Sequence, residues 1–139
     1  MTDTPANDPS RRLKYKKTWQ AVGWMMVAIV VWLSLTPRPP QPPSFLGWDK
    51  AQHFVAYGGL MVWYRMSFAR HWRWPIFLVC LGVALEFLQG LGGVRSLDPM
   101  DMVANTLGVG IGLILVATPL GQSLAMADAL LAQRLNRPA

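Results

Sequence analysis

Four of the seven acidic residues of this chain fall into three short blocks that also hold a lysine, a histidine and an arginine. The first block is Asp49-Lys50-x-x-His53-Phe54-x-x-Tyr57. The second is Glu86-x-x-Gln89. The third is Arg95-x-x-Asp98-x-x-Asp101-x-x-x-Asn105, continuing to Gly108 and Gly112. On a helix, Asp49, His53 and Tyr57 share one stripe, as do Glu86 and Gln89, and as do Asp101, Asn105, Gly108 and Gly112. A histidine beside carboxylates can give or take a proton near neutral pH, so His53, Glu86 and Asp101 are the catalytic candidates. Lys50, Arg95 and His53 can meet a phosphate while the carboxylates orient them. His53, Glu86, Asp98 and Asp101 are also the residue types of a metal-assisted site. The chain shows no nucleophile motif, no His-x-x-x-His pair and no phosphate-binding loop. The expectation is therefore a ligand-binding pocket lined by the polar residues of the three blocks, with no resident metal or cofactor.

Taken singly, these residues have plainer explanations. Asp49 and Asp98 suit helix caps. Lys50 can extend its ammonium to a membrane interface. His53 can be a packed, satisfied residue. Gly108 and Gly112 form a G-x-x-x-G that lets a neighbouring helix approach closely. Glu86 is harder to explain away. A carboxylate inside an apolar run needs a partner or a wet cavity, and is a functional candidate by default.

The elements that must position these residues follow from hydropathy and from proline and glycine. An apolar helix is predicted from about Trp19 to Leu35. The segment Pro37 to Pro43 is too proline-rich to be helical and reads as an extended loop. A second helix begins near Trp48 or Asp49 and runs to about Phe68. A third runs from Trp74 or Pro75 to about Leu91, ended by Gly90, Gly92 and Gly93. Asp98-Pro99 reads as a cap and first-turn proline for a fourth helix, from about Met100 to Leu120. Residues 1–17 read as a loose basic tail and residues 18–121 as the membrane domain. In residues 122–139, Leu124, Ala127, Leu131 and Leu135 recur at helical spacing, which suits an amphipathic helix on a membrane surface.

The fold class expected is all-α, a polytopic transmembrane bundle of about four helices. Charged residues are only 14 % of the chain, against about 25 % in a soluble domain, and long stretches carry none. The net charge of +6 sits beside apolar runs rather than along one soluble face, and tryptophans lie near the ends of those runs as in an interfacial aromatic belt. Nucleic acid is thereby disfavoured as a partner, and membrane lipids are favoured. The first apolar run is longer than a usual signal core and lacks a small-x-small cleavage site, so it reads as a retained helix. Cys80, the single cysteine, lies in an apolar run and reads as a small packed hydrophobe.

Lysine and arginine set the expected orientation. Arg11, Arg12, Lys14, Lys16 and Lys17 precede helix one; Arg65, Arg70 and Arg73 flank the turn after helix two; Arg134 and Arg137 follow helix four. The other two loops hold Arg38, Lys50 and Arg95. This alternation places both termini in the cytoplasm of a bacterial inner-membrane protein and all three polar blocks at the extracytoplasmic side.

In their order, spacing and membrane setting, the three blocks resemble the VanZ-like membrane proteins over about residues 49–112. The family's name comes from resistance to glycopeptide antibiotics of the teicoplanin type. The resemblance implies an envelope role, and little beyond the core unit in a chain this short. Three readings of the cluster follow. The preferred one is a binding or accessory protein that engages a lipid headgroup, a cell-wall precursor or an envelope protein. The second is an interfacial enzyme, a hydrolase or transferase acting on a phosphate- or ester-containing lipid. The third is an internal brace.

Overall fold

The computed structural model describes residues 9–37, 49–93 and 96–136, and all regular structure among them is helical. The helices are α1 (Lys16–Leu35), α2 (Asp49–Ser67), α3 (Arg73–Leu91), α4 (Pro99–Leu115) and α5 (Ser123–Leu135), with 3-10 turns at Pro9–Arg12 and Pro119–Gln122. The all-helical class is as expected. The proline-rich loop, Trp48 and Arg95 lie outside the described residues.

α1 and α3 are long and apolar enough to cross a bilayer, and α4 with the segment beyond its bend is a third candidate. At 20 residues, α1 is about 30 Å long, the thickness of the hydrocarbon core. It buries only Gly23 and Val27 and turns Trp24, Met25, Ile29 and Trp32 outward. α3 likewise exposes Ile76, Phe87, Leu88 and Leu91. A soluble protein rarely leaves so much apolar surface bare, whereas lipid covers it at no cost. α3 stops where Gly92 donates its N–H to the Leu88 carbonyl and Gly93 takes a φ of 63°.

α2 is less apolar, because Asp49, Lys50, His53 and Arg65 interrupt it. Its neighbours supply what its composition lacks. α1, α3 and α4 all pack against it, and Tyr57, Leu60, Met61 and Tyr64 from α2 are the centre of the main core with Val27, Leu78 and Val109. A helix enclosed by other helices does not have to be apolar on every face.

The closest packing is between α2 and α4. A Cβ added at Gly108 would run into the Phe54 carbonyl oxygen, and one at Gly112 would lie 2.7 Å from the Gly58 carbonyl oxygen. The G-x-x-x-G is thus a seam at which two backbones meet. α3 approaches α4 at Gly82, where a Cβ would lie 2.8 Å from Asn105 Nδ2.

α4 ends at Leu115, short of the expected Leu120. Pro119 has no N–H to continue the ladder, and the preceding Thr118 is extended, with φ −86° and ψ 174°, as a residue before proline prefers. The chain then bends by 78° into the segment carrying α5. The buried stripe of α5 is Leu124, Asp128 and Ala132; Met126, Leu130 and Leu135 point outward.

α1 to α4 alternate in direction, so the two ends of the bundle differ. At one end Trp19 lies edge-on to Trp63, Gln20 donates to the Ser67 carbonyl, and Leu13, Met66 and Leu124 form a small core. Beside it, Tyr64, Phe68, Trp74 and Phe77 surround one side of Trp24. Residues 9–15, read from the sequence as part of a loose tail, are ordered here. The backbone N–H groups of Lys14 and Tyr15 and the indole N–H of Trp19 all donate to Asp128, at 2.6, 3.0 and 2.8 Å. The first turn of α1 has no acidic residue of its own; α5 brings one to the backbone N–H groups just before that turn and to its positive dipole end. The described parts of both termini therefore lie at the same end.

Candidate functional site

The opposite end of the bundle gathers the polar blocks. The start of α2, the last turns of α3 and the start of α4 meet there. Asp98 caps α4, accepting the Met100 N–H at 2.8 Å, with Pro99 at the first helical position. That cap projects Asp101 and Asn105 from the next turns toward α2. The glycine seam one and two turns further along α4 brings α2 close enough to receive them.

Lys50 lies between two carboxylates, with Nζ 2.5 Å from Asp98 Oδ2 and 2.9 Å from Asp101 Oδ1. The hydrogen bond from Lys50, then that from the Met100 N–H, holds the Asp98 carboxyl below its usual range. One helical turn after Asp49, His53 touches both polar residues of α4. Its Nδ1 is 3.1 Å from Asn105 Oδ1, and its Nε2 is 3.5 Å from Asp101 Oδ2. Asp101 is 3 % exposed and Asn105 2 %. Asp49, His53 and Asp101 each offer a ligand atom within 4.8 Å of the other two.

From α3, Glu86 is 1 % exposed and accepts a long hydrogen bond, 3.4 Å, from the Asp98 N–H. It also interacts electrostatically with Tyr57, buried on α2 one turn below His53. Glu86 thus faces the cluster rather than lipid. Gln89 is turned elsewhere: its amide donates to the Ser34 carbonyl at 2.7 Å and ties α3 to the end of α1. So Lys50, His53, Asp98, Asp101 and Asn105 form one connected network with Glu86 at its edge, while Gln89 makes a brace.

Two participants were not evident from the residue pattern. Gly82 has no polar atom on a side chain, yet only a hydrogen there lets Asn105 sit between α3 and α4. Asp128, at the far end, interrupts the apolar spacing of its helix. That interruption, with the lack of an acid at the start of α1, is the signal that could have found it.

The arrangement can bind. Lys50 presents an ammonium held in place by two carboxylates, and His53 presents an imidazole held by a buried amide. Two carboxylates, Asp98 and Asp101, hold the one lysine directly, and Asp49 and Glu86 belong to the same cluster. No curated protein and no solved structure matches the chain. The model of the family described as VanZ/LLP1 matches residues 7–120, a stretch that contains all four packed helices, the cap at Asp98 and the whole polar cluster. The chain is a membrane protein of the VanZ/LLP1 family.

Proposed function

We propose that this protein engages the headgroup of a cell-envelope lipid or lipid-linked precursor, in an accessory role of the glycopeptide-resistance kind, through the cluster where α2, α3 and α4 meet. The observation that supports this most is Lys50, a cation fixed by Asp98 and Asp101 and a quarter exposed at its side chain. It is placed to meet a phosphate oxygen. Asp49 and His53 beside it remain partly accessible, and Asp101, Asn105 and Glu86 form a buried polar floor. A phosphate beside Asp98 and Asp101 needs more positive charge than one lysine supplies.

In this reading four segments span a bacterial cytoplasmic membrane, α2 being the shielded one. Arg12, Lys14, Lys16, Lys17, Arg70 and Arg73 gather at the end where both termini lie, which by the charge rule is the cytoplasmic end. The cluster then faces the envelope. α5, turned by 78° from α4 with Met126 and Leu130 outward, lies along the inner surface. With Cys80 replaced, a cysteine at Ser96 is expected to react with an impermeant thiol reagent in intact spheroplasts, and one at Asn136 only after lysis. The reverse pattern would invert the orientation and remove the cluster from the envelope side.

The binding test is retention of lipids by the detergent-purified full chain, read by native mass spectrometry. Polyprenyl phosphate is expected to be held more tightly than a polyprenol of equal length, and Lys50→Met to abolish the difference. Equal retention of both by the unaltered protein would refute headgroup recognition. The enzyme alternative draws on His53, oriented by Asn105 toward Asp101. It is supported only if the same incubations, on a phosphate- or ester-linked lipid, yield a cleaved product that His53→Asn does not form.

A further inference from the structure

We propose that Asp49, His53 and Asp101 form a site for a divalent transition cation of the Zn2+ or Mn2+ class. Three observations on different atoms carry it. The first is spacing. A cation about 2.1 Å from two donors at a tetrahedral angle holds them about 3.4 Å apart. His53 Nε2 and Asp101 Oδ2 already stand at 3.5 Å, and an Asp49 oxygen completes a trio within 4.8 Å. Asp49, the first residue of α2 and only half-buried, is the ligand on the accessible side.

The second is the way the ring is held. The Nδ1 of His53 meets the side-chain oxygen of Asn105 across 3.1 Å, which turns Nε2 toward the Asp101 carboxylate. A histidine that ligates a metal through one nitrogen and is fixed by a hydrogen bond at the other is the usual second-shell arrangement. Asn105 is well held for that role, being buried and pressed against Gly82.

The third is division of labour on Asp101. Its Oδ1 takes the Lys50 ammonium and its Oδ2 faces His53, so the lysine does not occupy the oxygen that the cation needs. One imidazole with two carboxylates favours first-row cations that accept a nitrogen ligand over Mg2+ and Ca2+, which take oxygen ligands. The proposal deepens the headgroup reading, since a cation here supplies the positive charge that a phosphate lacks among these carboxylates.

The test uses the tag-free, chelator-treated full chain in detergent, without added lipid, so that its failure is separate from failure of lipid retention. Zn2+ and Mn2+ are titrated by calorimetry, and bound metal per chain is counted by mass spectrometry. One equivalent is expected, undisplaced by a large excess of Mg2+ or Ca2+. His53→Ala and Asp49→Asn are expected to weaken binding by at least about 100-fold, and Asn105→Ala by about 10- to 100-fold. His71→Gln, at an exposed histidine, should bind unchanged. No uptake of either metal by the unaltered protein, equal uptake by Asp49→Asn, or loss of uptake in His71→Gln would each overturn the proposal.

Discussion

Replacing Gly108 with alanine places a methyl group where α2 and α4 touch backbone to backbone. Its Cβ would overlap the Phe54 carbonyl oxygen and lie 3.1 Å from the Gly58 nitrogen. Neither atom belongs to a side chain that can rotate away, so the helices must part. The matching position one turn on shows the scale. A Cβ at Gly112 would sit 2.7 Å from the Gly58 oxygen, and ordinary contact begins near 3.4 Å, so about 0.7 Å of separation is required. Overpacking that side chains can absorb costs about 1–3 kcal/mol; overlap with backbone belongs at or above the top of that range. Gly110, on the same helix, is the control, because nothing lies within 4 Å of a Cβ there. Gly110→Ala should stabilise by about 0.5–1 kcal/mol, the helix preference of alanine over glycine. Thermal unfolding in detergent, followed by circular dichroism, is expected to give a lower Tm for Gly108→Ala and an equal or higher one for Gly110→Ala. Gly108→Ala should also disturb the polar cluster, since Asn105 lies three residues earlier on the same face and Phe54 adjoins His53. If Gly108→Ala proves as stable as Gly110→Ala, the seam is not a backbone contact and the argument fails.

Tyr64 carries, among the described residues, a fully buried hydroxyl with no hydrogen-bond partner, stacked on Phe68 at 4.6 Å. Tyr64→Phe should therefore be neutral or stabilising by up to about 1–3 kcal/mol, the desolvation cost of an unmet polar group, and a clear loss of Tm would show that the hydroxyl is satisfied. Asp128→Asn should lower stability by about 1.5–3 kcal/mol at pH 7, because three donors lose a charged acceptor. Burial raises the pKa of Asp128, but the hydrogen bonds from Trp19, Lys14 and Tyr15 outweigh it and leave the carboxyl below its usual range. A depressed folded pKa adds stability above the unfolded value of about 3.9, which is lost as pH falls through the folded pKa. The Tm difference between the unaltered protein and Asp128→Asn should hold from pH 7 to about 5 and close below about pH 4; a constant difference down to pH 3 would contradict the assignment.

Much of this was legible before the fold. Apolar runs of bilayer length, bounded by prolines and glycines, marked α1 and α3 to within a few residues. Asp98-Pro99 marked the start of α4 because cap and first-turn chemistry are local. The i, i+4 spacings of Asp49 with His53 and of Asp101 with Asn105 showed which side chains share a face. These features depend only on neighbours in the chain, and the sequence states them directly.

Partnership between segments was decided by the tertiary structure. Gln89 looked like a member of the cluster with Glu86, yet it bonds to the Ser34 carbonyl, because α3 is flanked by α1 as well as α4. The inward face of α5 is Leu124, Asp128 and Ala132 rather than its more apolar stripe. Docking there satisfies the backbone N–H groups of Lys14 and Tyr15 just before α1, a gain available only once two segments more than a hundred residues apart in sequence are brought together. α4 stops at Leu115 for a local reason, Pro119, that the apolar run concealed. What the sequence by itself determined was membrane character, helix positions and which residues share a face. Which faces meet was settled by close packing at Gly58, Gly82, Gly108 and Gly112, because the distance at which two backbones can approach depends on both helices at once.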